Sequence, residues 1–330
     1  MSNTPIVSVI VPNYNHAVFL PRRIESIFNQ TYQDFELILL DDCSTDDSRS
    51  VLLRCAGDTR VRIEFNETNS GTPFRQWNKG VKLARGEYVW IAESDDYADE
   101  RFLERLVGQL EADERIMYAY CRSWRVDEDD RVHGFVEPYL DAPDLSRWTK
   151  DFHADGTLEC SRYLVRTNPS ANASAIVFRK DSYEAVGGAD ERLRLCGDWK
   201  LWAAMALHGE IAYLSEPLNY YRFHRESVRA ATLDNGCGIA EAIAVVRWIM
   251  TQVAPDEMVR RRFCEVACGL WIPALLSSGV PFGRKMQIMR DIRVVDRCAF
   301  RRLARPLWLA VRHRVASRVR GRTLRPGDCQ

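Results

Sequence analysis

The chain has no C-x-x-C pair, no long apolar run, no basic stretch before its first strand and no glycine-rich, basic loop after it. Each absence removes a class of protein. The ten cysteines are scattered, and Cys264 and Cys268, one helical turn apart, read as two small core-facing hydrophobes rather than a metal site. Free thiols in a reducing cytosol are the expected state. No apolar stretch reaches the roughly 18 residues that span a bilayer, so an integral membrane protein is not expected. A strand begins at Ile6 with no basic region ahead of it, which argues against a secretory signal. The missing phosphate loop counts against a nucleotidyltransferase. No internal repeat or low-complexity tract stands out.

What is present is ordinary in bulk. A chain of 330 residues, 46% hydrophobic and 28% charged, suits a globular protein with one large core or two smaller ones. The formal net charge of zero conceals a segregation. From about Arg284 onward basic residues greatly outnumber acidic ones, so the preceding part is net acidic.

Over the first hundred residues apolar runs alternate with helical patterns. Strands are expected at Ile6–Val11, Phe35–Leu40, Val61–Phe65 and Tyr88–Ala92. Helices are expected over Phe19–Asn29, Asp46–Cys55, Thr72–Ala84 and Glu100–Glu111. Pro21 falls in a first turn, where a missing N–H costs little, and Ser44 is placed as an N-cap. This order predicts an α/β fold with a parallel sheet covered on both faces. Later the pattern weakens. Strands are read at Met117–Arg122, Ala175–Arg179, Ile211–Leu214 and Tyr220–Phe223, and a helix over Asp198–His208. From Gly236 the pattern is helical and reads as a separate appendage.

Polar residues gather at three strand ends: Pro12–Asn15, Asp41-Asp42 and Glu93–Asp96. A doubly wound sheet brings such ends to one rim. The third is the sharpest, because the apolar run Tyr88-Val-Trp-Ile-Ala stops at Glu93-Ser-Asp95-Asp96. Carboxylates held that close repel one another and call for a cation. Hard oxygen donors without a nearby Cys or His favour Mg2+ or Mn2+, ions that usually arrive with phosphate. Taken alone, Asp41-Asp42-Cys-Ser44 is equally well a polar turn with an N-cap. Beside the other two segments it reads as a place for a nucleobase N–H or a ribose hydroxyl.

These segments resemble a family 2 glycosyltransferase. The likeness lies in Val7-Ser-Val-Ile-Val-Pro-Asn-Tyr-Asn15 and in the blocks Leu20–Tyr32 and Phe35–Asp46. It continues through Asn69-x-Gly71, Asn78-x-Gly80 and Ala84-x-Gly86 and runs to about residue 225. The resemblance implies a GT-A fold over residues 1–230, with a nucleotide-sugar half (1–115) and an acceptor half (116–230), and a helical region over 231–330. It implies a donor site formed by Pro12, Tyr14, Asn15, Asp41, Asp42, Asn69, Gly71, Asn78 and Asp95. Glu93-Ser-Asp95 stands in the place of the family's DxD motif, with Asp96 as principal metal ligand and Glu93, Asp95 and His224 near it. Glu93 departs from the Asp that is more usual there, so an altered metal preference is expected. Asp198 aligns with the catalytic base, but Gly197 replaces the Glu that precedes it in the family.

Each of these residues also has a plainer reading. Asp198 at a helix start looks like an N-cap, although the helix terminus would also keep it ionised. Arg222 and Trp199 are assigned to phosphate or acceptor, while Arg222 has local acids to pair with. His224 taken alone is a surface histidine. Arginines across 301–325, interleaved with Leu307, Trp308, Val311, Val315 and Val319, suit an anionic membrane surface or docking on the chain's own acidic half. No motif supports nucleic-acid binding.

The expected activity is inverting transfer of a sugar from a UDP-, GDP- or dTDP-type donor to a saccharide or lipid-linked acceptor. It is expected to use Mn2+ or Mg2+ and to work in the cytoplasm or at the inner face of the plasma membrane, in cell-surface polysaccharide or glycolipid synthesis. The rivals are a catalytically weakened binding scaffold and a sugar nucleotidyltransferase.

Overall fold

A computed structural model describes residues 4–138, 146–170, 172–224 and 236–254 and, with gaps, 256–295. The basic tail expected at 301–325 lies outside the described residues. Four strands open the fold: β1 (Val7–Asn13), β2 (Phe35–Asp41), β3 (Val61–Phe65) and β4 (Tyr88–Ile91). Every residue of β1, β2 and β4 is buried, which is why their sequences are mostly apolar rather than alternating; the interior exceptions, Ser8 and Glu36, hydrogen bond to each other. Helices α1 (Leu20–Phe28), α2 (Ser48–Leu53) and α3 (Pro73–Leu83) connect them. The strands pair in parallel in the order β3-β2-β1-β4.

The next part is mixed. It comprises β5 (Tyr97–Ala98), α4 (Phe102–Ala112), β6 (Ile116–Val126), β7 (Val132–Phe135), β8 (Phe152–Asp155) and β9 (Ile176–Arg179). Then follow α5 (Lys180–Ala185), α6 (Gly197–Ala206) and β10 (Glu210–Arg222). The sheet continues β4-β9-β6-β10-β5, with β7 added beside β6 and β8 beside β10. Strand β9 runs antiparallel to both β4 and β6, so the parallel order expected from the first hundred residues stops there. The two short strands expected at Ile211–Leu214 and Tyr220–Phe223 are one strand. Its register shifts on either side of Pro217, a residue with no N–H to give the ladder.

Each face of the sheet has its own core. Leu20 and Ile27 of α1, with Phe102, Leu106 and Leu110 of α4, pack against Val7, Val9 and Val11 on one side. Phe74 and Trp77 of α3 and Trp199, Trp202 and Met205 of α6 pack with Ile10 and Ile38 on the other. The chain closes with α7 (Cys237–Gln252) and α8 (Phe282–Val295). Ile243, Val246 and Ile249 of α7 join the second core, so the helix expected to open a separate appendage shares its hydrophobic contacts with α6. Among the described residues no helix is long and apolar enough to cross a membrane.

Candidate active site

The ends of β1 and β2 form a latch. Asn13 donates to Asp41 (Nδ2 to Oδ1, 2.9 Å), and the other Asp41 oxygen accepts from the Ser44 N–H at 3.1 Å. Asn15 adopts a left-handed backbone (φ 56°), which Asn tolerates better than most residues. Its own N–H reaches Ser44 Oγ at 2.9 Å, and its Oδ1 accepts from the Thr45 N–H at 2.7 Å. Pro12 is buried at the strand end, whereas Tyr14 is 46% exposed and offers an open aromatic face on the rim.

Asp42 faces inward. Its carboxylate accepts from Asn66 Nδ2 (2.7 Å), the Ser70 N–H (2.9 Å), Ser70 Oγ (2.7 Å) and Gln76 Nε2 (2.8 Å). Asn69 donates to the Asp42 carbonyl and accepts from the N–H of Gly71, whose φ of +83° favours glycine. Asn69 and Gly71 therefore shape the turn around Asp42. Asn78 ties the two halves: it donates to the Ala189 carbonyl (3.0 Å) and to Glu191 (2.9 Å), and it accepts from the Tyr183 hydroxyl (2.6 Å).

The acid segment after β4 is built differently. Glu93 Oε1 accepts from the Trp77 indole N–H at 2.8 Å, so the longer side chain reaches across to α3. Asp96 is buried, and its two oxygens accept from the Arg222 N–H and from Asn172. Asp95 Oδ2 hydrogen bonds with His224 Nε2 at 3.0 Å. Burial, then the charge of Asp95, pushes Glu93 up to about 8, with the Trp77 bond opposing. The same two causes push Asp96 up to about 7, with Arg23 opposing. Asp95 ends below its usual range: burial pushes it up, but the His224 bond and the charge of His16 outweigh that. His224 is raised in return, chiefly by its bond to Asp95.

Two arginines brace this segment. Arg222 donates Nε to the Asp95 carbonyl (2.7 Å) and Nη1 to the Asp127 carbonyl (2.6 Å), and its Nη2 pairs with Asp130. That guanidinium is spent on the protein, so Arg222 serves as a bracket rather than as the phosphate contact the sequence suggested. Arg23 is fully buried beneath the acids and donates Nε to the Glu93 carbonyl at 2.8 Å.

A segment the sequence did not single out joins the halves. Asn168 donates to Asp198 Oδ2 (3.0 Å), Asn172 donates to Asp96, and Ser174 Oγ accepts from the Glu93 N–H (3.0 Å). Four residues of chain span at most about 14 Å, so Asn168 and Asn172 keep the Asp198 and Asp96 carboxylates in one neighbourhood. Trp199 turns away and donates its indole N–H to the Leu164 carbonyl at 2.8 Å. Gly197 has a physical reason: a Cβ there would lie 2.4 Å from the Phe74 ring.

His16 is the other residue that sequence reading missed. Its donor atom, one from Asp95 and one from His224 all lie within 4.8 Å of one another. The signal was its place one residue beyond the Pro12–Asn15 turn, but only the fold brings residue 224 to it. Glu93 and Asp96 are not part of this group, so the donor set is two imidazoles and one carboxylate. That set fits a divalent transition ion better than Mg2+, which prefers oxygen.

Comparison with known proteins matches this geometry to a family. The family described as "Glycosyl transferase family 2" matches residues 8–186, more than half of the chain. A glycosyltransferase of Haemophilus influenzae described as uncharacterized is 37% identical over 36% of this chain and 49% of its own. The chain spans about half or less of the length of the first curated relatives it matches. Staphylococcus aureus TarS in complex with UDP-GlcNAc superposes with a TM-score of 0.66 at 19% identity, over 88% of this chain and 80% of that one. The mannosyltransferase PcManGT of Pyrobaculum calidifontis, in complex with GDP-Man and Mn2+, gives 0.55 at 16% identity, over 94% and 87%. With the mixed sheet, the acid rim and a profile match over most of the catalytic half, the chain belongs to the family 2 glycosyltransferases and has their GT-A fold.

Proposed function

We propose that the chain transfers a sugar from a nucleoside-diphosphate donor to a hydroxyl of a saccharide or lipid-linked saccharide, with inversion, and that Asp198 is the base. The observation that carries this reading is the set Asn168, Asn172 and Ser174, whose hydrogen bonds link Asp198 to Asp96 and Glu93 of the acid rim. The donor end is the β1–β2 latch, where Tyr14 offers an exposed face for a base and Asp41 lies buried at the end of the neighbouring strand. TarS with UDP-GlcNAc and PcManGT with GDP-Man and Mn2+ support a nucleotide-sugar donor of this kind.

His16, Asp95 and His224 would hold the divalent cation, Mn2+ in preference to Mg2+. When bound, the cation neutralises charge on the departing diphosphate. Asp96, expected as the principal ligand, instead steadies Arg222 and Asn172 and so shapes the cleft. Asp198 takes the proton from the acceptor hydroxyl as that oxygen attacks, help typically worth about 10²–10⁴-fold. Asn168 aims the carboxylate from the other side.

The test is diphosphate release from UDP-, GDP- and dTDP-sugars, assayed with Mn2+ on wild type and Asp198→Asn. Loss of turnover with intact nucleotide binding supports the base; a variant that keeps wild-type turnover removes Asp198 from the role. Binding of a diphosphate with no turnover of any sugar by the wild type would favour a scaffold.

A further inference from the structure

Glu241 lies in α7, beyond the residues matched by the family and beyond the half expected to do the chemistry. It is nevertheless buried against the loop that leads into α6. Its carboxylate accepts from three consecutive backbone N–H groups: Arg194 at 2.9 Å, Leu195 at 2.8 Å and Cys196 at 3.0 Å. Those residues immediately precede Gly197 and Asp198. The cap residue of α6, Cys196, does not cap the helix with its side chain; its thiol donates instead to the Gly238 carbonyl at the start of α7.

The geometry has few substitutes. Backbone N–H groups buried in the turn that leads into a helix need an acceptor. Residue 197 has no room to supply one, because the Phe74 ring fills the space of its Cβ. Thr72 and Asn78 tether the loop earlier, at Leu193, Ala189 and Glu191. Glu241 is what fixes its last residues, the ones that set the direction in which Asp198 leaves the helix. Ile243, Val246 and Ile249 on the same helix pack into the core shared with Trp199 and Trp202, so the carboxylate is delivered from a rigid support.

We propose that Glu241 is a positioning residue for Asp198: a carboxylate donated by the C-terminal helix that orders the start of α6 where residue 197 cannot. The helix over 237–252 is thereby a working part of the catalytic unit. This inference rests on the proposed role of Asp198.

The experiment combines a double-mutant cycle with hydrogen exchange on the full chain. Glu241→Gln keeps the size of the side chain and removes the charge. Amide exchange over 194–196 should rise in Glu241→Gln while the strands β1 and β2 stay protected. Diphosphate release from UDP-, GDP- and dTDP-sugars with Mn2+ should fall about tenfold or more in kcat, as misplacing a reacting group does, with nucleotide affinity unchanged. In the Asp198→Asn background the same substitution should cost nothing further, because a residue acting through Asp198 has nothing left to aim. Glu241→Asp should recover part of the rate. Unchanged exchange at 194–196 overturns the clamp itself. Unchanged kcat, or an equal loss in both backgrounds, overturns the positioning role. If Asp198→Asn alone has no effect, the assignment of the base fails instead, and the exchange data still decide whether Glu241 holds the loop.

Discussion

Two sets of acids follow two strands of one sheet, and they have opposite surroundings. Asp42, after β2, receives hydrogen bonds from Asn66, Ser70 and Gln76, all neutral donors supplied by the protein. Glu93, Asp95 and Asp96, after β4, crowd one another above a buried arginine, and two of them hold protons far above the usual range. The first arrangement is complete in itself. The second carries repulsion that the fold alone does not relieve, and such groups cluster where chemistry is done. Similar motifs in sequence therefore separate into a structural acid and a reactive rim once their partners are known.

The contrast is tested most severely by exchanging the losses. Asp95→Ala should weaken Mn2+ binding, measured by calorimetry, more than about 100-fold, since even supporting groups cost 10–100-fold, while the melting temperature stays near that of wild type. Asp42→Ala should do the reverse. Its four donors, of which Gln76 is buried and the rest are partly buried, lose their acceptor, and unfolding in urea should become easier by about 3 kcal/mol, with Mn2+ affinity retained. If Asp42→Ala instead removed Mn2+ and spared stability, the division drawn here would collapse.

Smaller effects refine the rim. His16→Ala should weaken Mn2+ about tenfold and narrow its advantage over Mg2+, because the remaining donors are harder; an unchanged Mn2+ isotherm would exclude His16 from the site. The last effect concerns pH. Glu93 moves from an ordinary 4.5 to about 8 on folding, so the folded chain binds that proton more tightly than the unfolded chain. Its contribution to stability is fully present below about 4.5 and is lost as pH rises through about 8. In metal-free protein the melting temperature of wild type should therefore fall relative to Glu93→Gln across that window, by on the order of a few degrees. Parallel curves for the two proteins would show that Glu93 carries no such strain.

Much of the first half could be read from the chain because burial on both faces writes a strand as a mostly apolar run, unbroken in β4 and interrupted only by Ser8 and Glu36 within β1 and β2. Other parts were hidden for identifiable reasons. Pro217 split β10 into two readings, although the strand continues through a shift of register. Asn168, Asn172 and Ser174 have no periodicity to advertise them, and their partners lie 30, 76 and 81 positions away. The departures from family pattern looked like losses until their neighbours were known. Gly197 makes room for Phe74, and the extra methylene of Glu93 reaches Trp77.

Arg23 gives the rim a property that its acids alone would lack. The guanidinium is wholly enclosed, keeps a pKa of about 10 even after burial has lowered it, and its two terminal nitrogens make no hydrogen bond among the described residues. A positive charge locked in that place acts as ballast: it cannot diffuse away, and it stays charged at neutral pH. The acids above it therefore meet a counter-charge that belongs to the fold and offsets part, though not all, of their repulsion.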